Sequence, residues 1–68
     1  MLVFSSKLKE LREEKKLSKR AMARSLGVAE ATYRRYEKGE CEPSNTLLLK
    51  IADFFGVSLD YLFGRVDI

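Results

Sequence analysis

The stretch from Leu17 to Gly39, LSKRAMARSLGVAEATYRRYEKG, predicts two short helices joined by a tight turn. Ser18 is a favoured N-cap residue ahead of a segment whose apolar residues recur with helical spacing. Gly27 follows that segment, at a place where a residue with positive φ commonly ends a helix. A second helical pattern covers residues 30–38 and ends at Gly39 in the same way. This order of elements is the signature of a helix-turn-helix.

The second helix of this stretch has two chemically different sides. Tyr33, Tyr36 and Glu37 fall together at i, i+3 and i+4. The opposite side carries two arginines beside smaller or acidic residues: Glu30, Ala31, Arg34 and Arg35. A helix that hides tyrosines and exposes arginines suits the major groove of DNA. The alternative is that both arginines are only solvated charges, with Glu30 and Arg34 forming a favourable i, i+4 pair.

Composition favours one small all-α domain over residues 1–68. The chain is 46% hydrophobic and 34% charged, which is typical of a globular protein rather than a disordered one. A single Pro and four Gly leave room for several helices, and strict apolar alternation typical of strands is absent from the sequence. At this size the core is marginal, so we expect well-capped helices.

Several functions are disfavoured by the residues that the chain lacks. Cys41 is the one cysteine and histidine is absent, so neither an intramolecular disulfide, a zinc site nor a Cys-His nucleophile can be assembled. We therefore expect no enzyme activity, no cofactor and no small-molecule ligand. A signal peptide or membrane span is not expected, because the opening apolar run MLVF is too short. A cytoplasmic location is the default.

Positive charge is concentrated in the first part of the chain. Residues 1–38 carry 11 Lys/Arg against 5 Asp/Glu, a net +6, whereas residues 39–68 carry 2 against 5, a net −3. This asymmetry predicts one basic face, which fits nucleic acid or an anionic membrane. The alternative is that the lysines serve only solubility.

Three more helices, one before and two after the helix-turn-helix, complete the predicted domain. The first covers about residues 6–16, capped by Ser5 or Ser6, with a buried stripe that includes the stem of Lys15. The second and third are residues 18–26 and 30–38. Pro43 and Ser44 precede a fourth helix over residues 45–55, and a fifth covers residues 59–63. Short connections between five such helices predict a compact all-α domain.

In order and spacing, these pieces resemble a known family over about residues 4–65. The matching pieces are LKELREEKKLS, the LGV turn, RRYEKG, EPS and LLKIADFFGVSLDYLFG. Together they resemble the XRE-type helix-turn-helix, the DNA-binding domain of lambda-like phage repressors and Cro. The resemblance implies a five-helix lambda repressor-like fold that binds double-stranded DNA through its third helix, often as a homodimer on palindromic operators.

The resemblance also assigns roles to particular residues. Glu30, Ala31 and Arg35 occupy base-reading positions. Thr32 and Arg34 flank them. The remaining assignments are phosphate contacts at the start of the second helix and after the third, and an internal salt bridge: Ser18, Lys19, Lys38 and Gly39 for phosphate, Arg12 and Glu37 for the bridge.

Three departures from the family pattern accompany these assignments. Lys19 stands where the second helix usually begins with Gln, and Ala29 stands where the third usually has a capping Ser or Thr. Glu40 and Glu42 make the following loop acidic where relatives are often basic. That loop either binds phosphate less well or faces a partner subunit.

The function predicted first is a sequence-specific transcriptional regulator, a repressor that occupies an operator and performs no chemistry. The alternative is a protein-interaction module of the antitoxin or antirepressor type, with weak or no DNA binding. A dimer surface is expected from Tyr61, Leu62 and Phe63 together with the tail Val66–Ile68. The alternative for these residues is burial in the core, which we favour for Leu62.

Overall fold

A computed structural model describes residues 2–66, and this part of the chain forms five α-helices without a β-strand. Their bounds are α1 Leu2–Glu14, α2 Lys19–Leu26, α3 Glu30–Lys38, α4 Asn45–Phe55 and α5 Leu59–Leu62. The described residues span 29 × 23 × 19 Å. The prediction of a compact all-α fold is confirmed.

Local capping explains where three of the five helices begin. The hydroxyls of Ser18, Ser44 and Ser58 each accept a hydrogen bond from the backbone N–H three residues later, at 3.0 to 3.2 Å. Such a side chain satisfies one of the donors that a helix leaves unpaired in its first turn. At α3 the preceding residue is Ala29, which makes no side-chain capping hydrogen bond, as expected from its methyl group.

The first helix differs from its predicted bounds of 6–16 at both ends. It begins at Leu2, so neither Ser5 nor Ser6 is its cap. Ser5 lies buried inside the helix and its hydroxyl donates to the Tyr36 carbonyl oxygen of α3 at 2.7 Å. The helix ends at Glu14, because Lys16 adopts a left-handed conformation with φ 57°.

The core draws side chains from every helix. The largest fully buried ones are Tyr33, Phe4, Leu8, Met22, Ile51 and Leu62. α3 packs against both α1 and α2, α5 packs against α1 and α4, and α2 touches α4. α1 therefore packs against one side of α3 in the helix-turn-helix, and the described residues leave the other side of α3 uncovered.

Several side chains proposed for other roles lie elsewhere than expected. Lys15 is exposed rather than buried along its stem, and its Nζ lies 5.8 Å from the Phe54 ring centre. Leu62 is core, as favoured, while Val66 is exposed. Tyr61 and Phe63 are partly buried against the core. The remainder of the predicted dimer tail, positions 67 and 68, lies outside the described residues.

Candidate nucleic-acid interface

The turn between α2 and α3 is built by backbone hydrogen bonds around Gly27. Gly27 has φ 74°, and its N–H donates to the Arg24 carbonyl at 3.2 Å. The Val28 N–H donates to the Ala23 carbonyl at 3.0 Å. This left-handed termination reverses the chain within three residues, and α3 then starts at Glu30. The sequence thereby sets α3 against α2 through local geometry.

α3 has one buried and one exposed side. Tyr33 and Tyr36 are buried on the inner side. The outer side carries the residues predicted to read bases, of which Ala31, Arg34 and Arg35 are exposed and Glu30 and Thr32 are partly exposed. The structure thus brings all five predicted base-reading residues onto the accessible part of one helix.

A hydrogen-bonded ion pair attaches the inner side of α3 to α1. Arg12 Nε donates to Glu37 Oε2 at 2.7 Å and Arg12 Nη2 donates to Glu37 Oε1 at 3.3 Å. Both side chains are almost fully covered, with 10% and 4% of their surface exposed. Arg12 Nη1 also donates to the Leu17 carbonyl at 2.8 Å, which ties the segment after α1 to the same guanidinium. The two residues predicted to form an internal salt bridge are therefore in direct contact.

Tyr33 is a third member of this buried network, a role that was not predicted from the sequence. Its hydroxyl donates to Glu37 Oε2 at 2.5 Å. Burial, and then this hydrogen bond to Glu37, raise the pKa of Tyr33 well above its ordinary value. The Glu37 hydrogen bonds also raise the pKa of Arg12, against an opposing effect of burial. The i, i+4 spacing of Tyr33 and Glu37 was the signal available in the sequence.

The two outer arginines each have a carboxylate partner. Arg34 donates to Glu30 Oε2 from Nη2 at 2.7 Å and from Nε at 3.1 Å. Arg35 Nε lies 3.7 Å from Glu40 Oε1 in the loop after α3. All four side chains are at least 37% exposed, so water screens both pairs. The guanidinium groups are therefore held loosely and remain open to an external acceptor.

The start of α2 presents the first predicted phosphate contacts. The Ser18 hydroxyl accepts from the Ala21 N–H at 3.0 Å, and as a hydroxyl it still has a proton to donate. Lys19 is the first helical residue and is partly exposed. An ammonium at a positive helix N-terminus is unfavourable by itself, and an anion there relieves the repulsion. Ser18 and Lys19 therefore lie together at the start of α2, and their contact with phosphate stays a prediction.

The end of α3 presents the second predicted phosphate contacts. Lys38 is exposed and Gly39 has φ 76°. The Gly39 N–H donates to the Tyr36 carbonyl at 3.2 Å. A phosphate contact by this N–H would have to share the donor with the helix end, whereas the Lys38 ammonium can reach outward without such competition.

Two arginines of α2 were not among the predicted site residues. Arg20 and Arg24 are exposed, and together with Ala23, Val28 and Glu30 they line an open cleft of about 280 Å³ beside the start of α3. Their i, i+4 spacing was readable in the sequence and places both on one side of α2. They extend the positive surface of α3 onto α2, and Glu30, one of the residues predicted to read bases, lines the same cleft.

Neither a group of potential metal ligands nor a membrane-spanning helix occurs among the described residues. Within residues 2–66 there is no group of three or more His, Cys, Asp and Glu side chains that could hold a metal ion. No helix described there is long and apolar enough to cross a membrane. Cys41 is a free thiol of intermediate exposure in the loop after α3.

Comparison with known proteins places this geometry in a family. The family model described as helix-turn-helix matches residues 8–62. The chain belongs to the helix-turn-helix family. A crystal structure of a transcriptional regulator of this helix-turn-helix family from Vibrio cholerae superposes with a TM-score of 0.77 at 33% identity, covering 94% of this chain and 36% of that one. The predicted fold and family resemblance are confirmed.

Three curated relatives carry names that refer to transcription. YqaE of Bacillus subtilis, an uncharacterised helix-turn-helix type transcriptional regulator, is 43% identical over 60 residues, covering 88% of this chain and 52% of that protein. The cryptic phage CTXphi transcriptional repressor RstR of Vibrio cholerae is 40% identical over 57 residues, covering 84% and 51%. The chain thus spans about half the length of both relatives.

A third relative is similar over nearly its whole length. It is an uncharacterised helix-turn-helix type transcriptional regulator of Methanocaldococcus jannaschii, 41% identical over 64 residues, which cover 94% of this chain and 97% of that protein. Proteins of this family named as transcriptional regulators therefore include both longer chains and one of nearly the same extent as this sequence.

Proposed function

We propose that this chain is a sequence-specific DNA-binding transcriptional regulator that acts as a repressor through α3. The observation that carries the proposal is the two-sided construction of α3, whose inner side is fixed to α1 by the Arg12–Glu37 pair while its outer side presents Arg34 and Arg35. A rigidly mounted helix with exposed guanidiniums matches the dimensions and acceptors of a major groove. The names of the relatives support regulation of transcription.

The roles of the outer residues divide into reading and positioning. We assign base reading to Glu30, Ala31, Thr32, Arg34 and Arg35, and phosphate contact to Ser18, Lys19, Lys38 and Gly39. Phosphate contacts fix the register on the duplex, whereas contacts to base edges carry sequence preference. The exposed Arg20 and Arg24 add to the positive surface on the same side.

We further propose that residues 1–68 act as one DNA-binding domain in the cytoplasm, without a cofactor or enzyme activity. Occupancy of an operator blocks transcription without any bond being made or broken. On DNA the domain is expected to form a homodimer on a palindromic site, with half-sites about 34 Å apart so that both α3 helices enter successive major grooves. Tyr61, Phe63 and the exposed Val66 are the candidate contact residues.

The test is selection of bound sites from random duplexes by the purified chain. We expect one enriched motif with two-fold symmetry and half-site centres about one helical turn apart. An enriched motif without symmetry would contradict the dimer and leave the DNA-binding assignment intact. Failure to shift any duplex at low salt would contradict DNA binding and favour the protein-interaction alternative. That alternative is supported by the acidic loop after α3 and by the uncapped start of α3.

A further inference from the structure

The loop residue Glu40 is fixed relative to α3 by the way that helix ends. The Gly39 N–H donates to the Tyr36 carbonyl at 3.2 Å and the Glu40 N–H donates to the Arg35 carbonyl at 3.0 Å. These two hydrogen bonds form a Schellman motif, in which the residue after the left-handed glycine comes to lie beside the residue five positions earlier. An apolar contact frequently occupies that position. Here Glu40 and Arg35 occupy it as an ion pair.

The atoms of this ion pair decide which edge of the guanidinium stays available. Glu40 Oε1 lies on the Nε side of Arg35, at 3.7 Å. The far edge, formed by Nη1 and Nη2, carries parallel N–H donors that can meet guanine O6 and N7 together. Arg34 differs, because Glu30 accepts hydrogen bonds from both its Nε and its Nη2, so its carboxylate engages two nitrogens of the guanidinium at hydrogen-bond distance.

We infer that Glu40 is a positioning residue for Arg35: its carboxylate lies near Nε and favours orientations of the guanidinium in which the Nη edge is presented to a guanine. This inference rests on the proposed function and adds a specificity role for the acidic loop. The carboxylate repels phosphate on every duplex, whereas its orientation of Arg35 adds affinity only where a guanine can accept the hydrogen bonds. The acidic loop therefore lowers binding to all DNA while it favours one base.

The variant that tests this role is Glu40→Ala, and the matched control is Glu42→Ala. Glu42 is an exposed carboxylate in the same loop, so both substitutions remove one negative charge close to α3. Affinity is measured for the duplex obtained by selection, for a scrambled duplex, and for the selected duplex with 7-deazaguanine at the position whose preference depends on Arg35. Thermal unfolding is followed in parallel, and neither variant is expected to change it appreciably.

Both variants should bind scrambled DNA more tightly and to a similar degree. Only Glu40→Ala should lower the ratio of selected to scrambled affinity, by about two- to fivefold, the range that an exposed ion pair supports. It should also reduce the loss caused by 7-deazaguanine. In an Arg35→Ala background, Glu40→Ala should behave like Glu42→Ala, because no guanidinium remains to be oriented.

Three results would overturn the inference, and each differs from a failure of the proposed function. An equal ratio of selected to scrambled affinity for Glu40→Ala and Glu42→Ala would show that only the removed negative charge matters. A higher ratio for Glu40→Ala would make Glu40 a competitor for Arg35 instead of a support. If Arg35→Ala altered the preference at no base pair, Arg35 would not read a base and Glu40 would have no reading residue to position. Only the absence of DNA binding by the unaltered chain would contradict the proposed function as well.

Discussion

Each side of α3 contributes to an Arg–Glu ion pair with the same N–O distance, but the inner pair is buried and the outer pair is exposed. On the inner side Arg12 and Glu37 meet at 2.7 Å with 10% and 4% of their side chains exposed. On the outer side Arg34 and Glu30 meet at 2.7 Å with 50% and 37% exposed. A buried charge without its partner is costly, whereas an exposed one is solvated by water, so equal geometry has unequal consequences.

This difference separates the stability of the domain from its binding chemistry. The inner pair joins two helices distant in sequence, and Tyr33 and the Leu17 carbonyl complete its hydrogen bonds. The outer pairs join residues of one helix or its adjoining loop and can exchange their partners for DNA. Substitutions on the inner side should therefore change unfolding, and those on the outer side should change binding.

The largest effect is expected from removing the inner carboxylate. Glu37→Ala leaves the Arg12 guanidinium buried without its partner, which should reduce the free energy of unfolding by about 3–5 kcal/mol. Replacing both partners with apolar residues, as in Arg12→Met with Glu37→Leu, should recover much of that loss. Denaturant unfolding followed by circular dichroism measures both variants.

The matched control for this prediction is Glu13→Ala. Glu13 also lies near Arg12, at 4.0 Å, but its side chain is 57% exposed. Its removal should cost less than about 1 kcal/mol. Equal losses for Glu37→Ala and Glu13→Ala would show that burial does not distinguish the two carboxylates.

The next largest effect is expected from Tyr33→Phe, which removes the hydroxyl that donates to Glu37. A hydrogen bond to a charged group is worth about 1.5–3 kcal/mol, so the variant should be destabilised by that amount. Tyr61→Phe is the control, because it keeps the ring that lies 4.6 Å from the Lys7 ammonium. A loss for Tyr33→Phe no larger than for the control would remove Tyr33 from the network.

Tyr33 also makes the stability depend on alkaline pH. Burial raises the pKa of Tyr33 and of Tyr36 in the folded state. Above about pH 10 the unfolded chain releases protons that the folded chain retains, so stability should fall with rising pH, by up to about 1.4 kcal/mol per pH unit for Tyr33. Tyr33→Phe should show a shallower alkaline fall than the unaltered chain, measured as unfolding free energy between pH 9 and 11. An unchanged slope would contradict the assignment.

On the outer side, Arg35→Ala and Lys19→Ala should separate reading from positioning. Arg35→Ala should remove about 1–3 kcal/mol of discrimination at one base pair per half-site, because a guanidinium can donate to guanine O6 and N7 together. Lys19→Ala should weaken binding to all sequences alike and lower the salt slope by about one unit. Both are measured as affinities for selected and scrambled duplexes at two salt concentrations. Equal loss on both duplexes for Arg35→Ala would make Arg35 a phosphate contact.

The smallest effect is expected for the outer pair itself. Glu30→Ala should change the free energy of unfolding by only about 0.2–0.5 kcal/mol, the value of an exposed i, i+4 pair. A double-mutant cycle with Arg34→Ala isolates that coupling. A coupling as large as the loss in Glu37→Ala would erase the contrast between the two sides of α3.

Much of the fold was readable from local signals in the sequence. Ser18, Ser44 and Ser58 were predicted as helix caps, and each accepts the expected backbone hydrogen bond. Gly27 and Gly39 were predicted to end helices with positive φ, and they do. These features involve residues within three or four positions of each other, where spacing alone fixes the geometry. The lack of a cap at Ala29 was readable for the same reason.

Two predictions for the first helix, expected over residues 6–16, were wrong, because its packing against other helices decided them. Ser5 or Ser6 was expected to cap α1, yet the helix begins at Leu2 and the Ser5 hydroxyl donates to α3. The stem of Lys15 was expected to be buried and is exposed. A serine near the start of an apolar-periodic segment serves equally well as a cap or as a buried donor, and only the neighbouring helix distinguishes the two.

The sequence by itself determined helices α2 to α5, the serine caps of three of them and the turn after Gly27, because each depends on short-range spacing. The order of these pieces along the chain carried the resemblance to the helix-turn-helix family. The tertiary structure alone decided that Tyr33 completes the Arg12–Glu37 network and that Glu40 lies on the Nε side of Arg35. It also decided that Glu30 accepts hydrogen bonds from two nitrogens of Arg34. Those facts depend on side-chain directions and burial, which arise only when the helices pack and the last turn of α3 closes.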